Sequence, residues 1–152
     1  MEKSLNNFKY TILGSIVITF MIFKVCQAND RMDISYNVTI TMYNPVSEQT
    51  DSTPNELADG TIINPNKASK YRYVALSRDL LSRWGGNFNY GDFIVIEGVG
   101  KDSGIYQVRD TMNPRYTLCV DILKTSGSSQ FKYTNVIMYK YVKNNNNILN
   151  KE

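Results

Sequence analysis

The chain has 152 residues, a formal net charge of +3, two cysteines and no histidine. Its length suits one domain. Charges of both signs are mixed and form no basic stripe, which argues against nucleic acid as a partner. Without histidine the chain lacks the usual proton carrier near neutrality and the commonest metal ligand, and its cysteines form no cluster, so neither a metal nor a cofactor is expected.

Residues 1–28 read as a secretory signal peptide. Lys3 and Lys9 supply a positive start, the run from Tyr10 to Phe23 is apolar, and Cys26-Gln27-Ala28 resembles a cleavage site. The apolar run is shorter than the ~20 residues that span a bilayer, and Lys24 closes it. Cleavage after Ala28 and export to a periplasm, cell envelope or medium is the preferred reading. An uncleaved N-terminal anchor, or lipidation at Cys26, are the alternatives, and either would tie the protein to a membrane. After cleavage about +1 of the charge remains, because Lys3, Lys9 and Lys24 leave against Glu2. Cys119 then has no partner for an internal disulfide and reads as a small buried thiol.

Ile34, Tyr36, Val38, Ile40 and Met42 alternate with polar residues, which predicts a half-buried strand ending at Asn44-Pro45. The polar stretch from Val46 to Gly60 predicts a long surface loop. Thr61–Ile63 and Tyr71–Leu76 predict two further strands. Ser77 is placed to cap a short helix through Asp79 and Trp84, stopped by Gly85-Gly86. Strands follow at Phe93–Glu97, Ile105–Val108, Thr117–Leu123 and Asn135–Val142, with a helical turn expected between Ser126 and Tyr133. The asparagine-rich residues 144–152 read as a disordered tail. Several short strands with little helix indicate an all-β fold. A closed barrel is favoured because it removes exposed strand edges.

With histidine absent, any chemistry falls to carboxylates. Asp110 and Asp121 each lie in an apolar-flanked run, Val108-Arg109-Asp110-Thr111 and Val120-Asp121-Ile122-Leu123, and Asp79 lies upstream. A carboxyl group works as an acid near neutrality when burial or a second carboxylate raises its pKa.

These pieces resemble a known family. Val74-Ala75-Leu76-Ser77-Arg78-Asp79, Tyr90–Gly98, Tyr106-Gln107-Val108-Arg109-Asp110-Thr111 and Val120-Asp121-Ile122-Leu123 follow the order and spacing of the three-aspartate (3D) domain. Thr41-Met42-Tyr43 and Ala58-Asp59-Gly60 are similar to further elements of the same superfamily. That domain is a six-stranded double-psi β-barrel related to membrane-bound lytic transglycosylase A, rare lipoprotein A and the expansins. The resemblance implies such a barrel over residues 33–143, with short helical insertions.

It also implies a substrate, the glycan strands of peptidoglycan, and cleavage of the bond between N-acetylmuramic acid and N-acetylglucosamine with a 1,6-anhydro product. By the resemblance Asp121 is the catalytic acid/base and Asp110 holds it and favours positive charge at the sugar. Asp79, Tyr43, Trp84 and Arg115 are supporting or substrate-binding candidates: Asp79 at a helix start, Tyr43 and Trp84 as sugar contacts, Arg115 as a partner for Asp110 or a peptide carboxylate. Where the family has a glycine-rich turn after its second aspartate, this chain has Thr111-Met112-Asn113-Pro114-Arg115-Tyr116. That loop borders the family's groove, so the alternative function is a non-catalytic, expansin-like glycan-binding module.

Overall fold

The structure, a computed structural model, describes residues 31–50 and 52–141. By contacts the chain divides into Met32–Val142 and a second unit made of Met1–Arg31 and Lys143–Glu152. The first unit is described below. The expected signal peptide and tail lie outside the described residues.

Six strands form a closed barrel: β1 (Arg31–Tyr43), β2 (Tyr73–Leu76), β3 (Phe93–Ile96), β4 (Gly104–Thr111), β5 (Cys119–Leu123) and β6 (Tyr133–Tyr141). Around the ring the order is β1-β5-β2-β4-β3-β6, closing from β6 back to β1. The sheet is mixed. β1 runs parallel to β5 and β2 parallel to β4, whereas β2–β5, β3–β4 and β3–β6 are antiparallel. Parallel neighbours need crossover connections, and neither parallel pair joins consecutive strands: β2, β3 and β4 lie between β1 and β5 in the chain, and β3 lies between β2 and β4.

Alternation sorts each strand into an inner and an outer face. Val38, Ile40 and Met42 of β1, Val74 and Leu76 of β2, and Val120 and Ile122 of β5 are buried in the main core. Ile34 is exposed, so the period-two pattern of β1 governs burial only from Tyr36 onward. The outer face of β1, β5 and β2 carries a second apolar cluster of Tyr43, Leu57, Ile63, Ala68, Ala75, Met112 and Leu123. Segment 57–71 lies over that face and supplies three of these residues.

The strand pattern matches the sequence expectation of a six-stranded barrel with short helical pieces, and four local elements differ. The helix expected over Asp79–Trp84 is two 3-10 turns, Arg78–Leu80 and Ser82–Trp84, separated by an extended Leu81. Leu80 and Leu81 are both buried, and Leu81 leaves the first turn with extended backbone, φ −87° and ψ 136°. Gly86 closes this loop against the Leu80 backbone, where a Cβ would meet the carbonyl carbon at 2.2 Å. The expected strand Thr61–Ile63 is a single bridge between Ile62 and Glu56, because Asp59-Gly60 turns the chain back at once. The segment from Ser126 to Tyr133 has no helical turn and instead bends at Gly127, φ 85°. A short helix, α1 (Ala68–Tyr71), precedes β2 and takes Tyr71, the first residue of the expected strand. It ends on Arg72, whose φ of 54° is left-handed, so β2 begins only at Tyr73.

Candidate active site

Asp121 lies on the outer face of β5, level with Thr41 of β1 on one side and Ala75 of β2 on the other. Ala75 is also level with Asp110 of β4. Asp110 and Asp121 therefore flank one strand on one row, two strand spacings or roughly 9–10 Å apart at their backbones, with only a methyl group between them.

A β-bulge brings Asp110 to that row. Val74 pairs with Val108 but Ala75 pairs with Asp110, so Arg109 is the extra residue. Val108 faces the core, and strict alternation would send Asp110 there too. The bulge turns it outward instead. The loop over β4 holds the bulge in place. The Asp59 N–H donates to the Arg109 carbonyl at 3.3 Å, and Arg109 Nη1 meets Asp59 Oδ2 at 2.9 Å. Partial burial pushes the Asp59 carboxyl up, but hydrogen bonds from Arg109 and Thr61 outweigh this and hold it below its ordinary value. Arg109 also reaches over the ring of Tyr73, which stacks on Tyr71 at 5.2 Å.

Three donors converge on Asp110. The Tyr43 hydroxyl donates to Oδ2 at 2.7 Å, and the Thr111 and Ala58 N–H groups donate to Oδ1 at 2.8 and 3.1 Å. Such a set suits an acceptor-only carboxylate. The Tyr43 phenol is pushed well above its usual range by burial first and then by the charge of Asp110, so it stays a donor.

Asp121 receives one hydroxyl, from Thr41 Oγ1 to Oδ1 at 2.8 Å. Its carboxyl is pushed up to about 6. Burial against the outer cluster is the main cause. The Thr41 hydrogen bond opposes it, and the charge of Asp110 adds to it. The pair thus separates into one carboxylate wrapped in donors and one carboxyl group poised to carry a proton, the division expected of an acid/base site.

Of the other candidates, Tyr43 belongs to this cluster. Asp79, Trp84 and Arg115 lie beyond the N-terminal end of β5. Asp79 heads no α-helix. Its Oδ2 accepts the N–H of Leu118 at 3.0 Å and holds that residue at φ 48° just before β5. Trp84 is 40% exposed, with the guanidinium groups of Arg78 and Arg83 over its ring at 4.9 and 5.3 Å. Arg115 donates to the Tyr116 hydroxyl at 2.9 Å. Cys119 stands between the two groups. Its thiol is pushed up by burial and by Asp79 and Asp121, and it donates to the Thr117 carbonyl, so it is no nucleophile at neutral pH.

Sequence reasoning did not assign Thr41, Ala75, Asp59 or Arg109 to the site. The small Ala75 in an apolar strand was the visible signal for a gap between two carboxylates.

No family model matches the chain, and no curated protein matches it. Among solved structures, a Streptomyces papain inhibitor is similar over 74% of this chain and 97% of that chain, with 17% identity and a TM-score of 0.44.

Proposed function

We propose that the protein is a lytic transglycosylase acting on peptidoglycan, with a 3D-type, double-psi barrel as its scaffold and Asp121 as its acid/base. The observation that carries this reading is the unequal treatment of two carboxylates across Ala75: Asp110 is wrapped in three donors, and the half-buried Asp121 receives a single hydroxyl. The order of the sequence motifs supplies the substrate class.

In this mechanism the protonated Asp121 gives its proton to the glycosidic oxygen. The bond from that oxygen to C1 of the muramic residue breaks, and its electron pair leaves with the oxygen. Positive charge develops at C1, where the fixed negative charge of Asp110 favours it. The Asp121 carboxylate then takes the proton of the C6 hydroxyl, whose oxygen bonds to C1. The anhydro ring closes, Asp121 is protonated again, and no water is consumed. One carboxyl group serves both steps, unlike the division of labour in hydrolases with two carboxyls.

Tyr43 and the clasp of Asp59 on Arg109 fix Asp110, and Thr41 fixes the rotamer of Asp121. The stacked Tyr71 and Tyr73 pack against the outer cluster beside this pair. The chemistry needs Asp121 protonated at the start, so the rate should fall as pH rises through about 6.

The test is digestion of purified peptidoglycan followed by mass spectrometry. The reading expects anhydro muropeptides, each one water lighter than the hydrolysis product. Hydrolysed products would replace it with a hydrolase. Binding without release would replace it with the glycan-binding module, which the departure at Thr111–Tyr116 favours.

A further inference from the structure

Arg78, Arg83 and Trp84 form a cationic and aromatic face at the two 3-10 turns after β2. The ring of Trp84 is partly exposed, and both guanidinium groups lie against it. Leu118, from the loop before β5 that also carries Arg115 and Tyr116, is tied to the same segment by its N–H, which donates to Asp79. Tyr116 and Leu118 are 38% and 47% exposed. Among the described residues none of the three arginines makes an ion pair, and the Arg78 Nε is buried without a hydrogen-bond partner. Asp79, the acidic residue of this segment, spends one carboxylate oxygen on the Leu118 backbone.

The face is fixed in register with the candidate site. Ser77 bonds Cys119 twice, through its N–H to the Cys119 carbonyl and through its Oγ from the Cys119 N–H, both at 3.0 Å. Cys119 stands two residues before Asp121, or about 7 Å along an extended strand. These bonds tie the segment that carries Arg78, Arg83 and Trp84 to the N-terminal end of the strand that carries Asp121.

We propose that this face is a subsite for the carboxylate groups of the glycan's substituents, with Trp84 stacking on an adjoining sugar face. The inference rests on the glycan reading above. The occupant is set by charge complementarity. Guanidinium groups take carboxylates through paired N–H donors, and arginines laid on an aromatic ring are held in place to do so. An uncharged polysaccharide would leave three cations unanswered.

The test measures binding of the full chain, carrying Asp121→Asn so that the probe is not consumed. The probes are soluble peptidoglycan strands with free peptide carboxylates and the same strands with those carboxylates amidated. Free strands should bind about tenfold more tightly, the equivalent of one charge-assisted hydrogen bond. Arg78→Gln and the exposed Arg83→Gln should each shrink that difference while leaving affinity for amidated strands unchanged. Trp84→Ala should weaken both probes and, by releasing the two arginines, the free strands more. Equal binding of the two probes overturns this inference and leaves the glycan reading standing. A preference that survives both arginine changes overturns the location. Binding of neither probe overturns the inference together with the reading beneath it.

Discussion

Asp102 and Asp121 are both largely withdrawn from water, yet only Asp102 faces a cation. Asp102 ends a 3-10 turn before β4 and is 2% exposed. Lys124, just past the end of β5, places its Nζ 2.6 Å from Asp102 Oδ1, and the Tyr106 hydroxyl donates to the Asp102 carbonyl. Asp121 has the Thr41 hydroxyl on one side and another negative charge across Ala75. The Lys124 ammonium ties Asp102 into the scaffold, whereas Asp121 makes no ion pair among the described residues and is driven toward its neutral form by burial and by the charge of Asp110. The two regions thus differ by a cation beside one carboxyl group and a second carboxylate near the other.

The comparison breaks first at Asp121. Asp121→Asn should abolish anhydro product release, because the amide can neither give a proton to the leaving oxygen nor take one from the C6 hydroxyl. General acid–base catalysis contributes roughly 10²–10⁴-fold, and a group that serves two steps should show the upper end. Rates of muropeptide release measure it. Near-unchanged release would move the catalytic role to another group.

The next largest effect is on the scaffold side. Lys124→Met should strand the Asp102 carboxylate and cost about 3–5 kcal/mol of stability, read from the denaturant midpoint. Adding Asp102→Asn should restore much of the loss, since an amide tolerates burial better than an unpaired charge. A single variant as stable as the parent would show that the pair is solvated and the contrast with Asp121 is misplaced.

Stability should also respond to pH on the Asp121 side. Its folded pKa, about 6, is above the ordinary carboxylate value of 3.8. The folded state therefore holds a proton that the unfolded chain has lost between those values. Stability should decline as pH rises from about 4 to 6 by roughly 1–3 kcal/mol, and then level off. In Asp121→Asn this slope should vanish, and that variant should be more stable than the parent at neutral pH. A parent with no slope in this window would mean that Asp121 is not desolvated.

The barrel was legible in the sequence where alternation is long, as in Val38–Met42, or where apolar runs end at glycine, as at Gly98. It was illegible where one residue changes the outcome. The bulge at Arg109 alters no composition and no period over a run this short, yet it decides which way Asp110 points. The helix Ala68–Tyr71 has only four residues, too few to show a helical period. Leu80-Leu81 looked like one apolar face of a helix, and the pair is buried equally well with Leu81 extended between two 3-10 turns, so the pattern does not distinguish the two. For the site, the aspartates themselves stood out because the chain has no histidine and Asp110 and Asp121 sit in apolar-flanked runs. Their partners did not. Thr41 and Tyr43 are 80 and 67 residues from the carboxylates they contact, and only closure of the sheet brings them together.

The smallest expected effects are opposite shifts of one pH profile, and they test whether the neighbours of Asp121 tune it as the geometry implies. Thr41→Val keeps the shape of the side chain but removes the hydroxyl that stabilises the charged form. The pH at which activity falls should move upward from about 6. Asp110→Asn removes a negative charge that disfavours ionisation, so the fall should move downward, with a loss of rate smaller than that of Asp121→Asn. The upward shift should be the larger, because the Thr41 hydrogen bond acts on Asp121 more strongly than the charge of Asp110 does. Neither variant should return Asp121 to the ordinary carboxylate value, since burial against Tyr43, Leu123 and Ala75 remains the main cause and neither change touches it. The profile of kcat against pH separates these shifts from a general loss of activity, which lowers the curve without moving it. Shifts in the same direction for both variants would show that Asp121 responds to loosened packing and not to the two partners beside it.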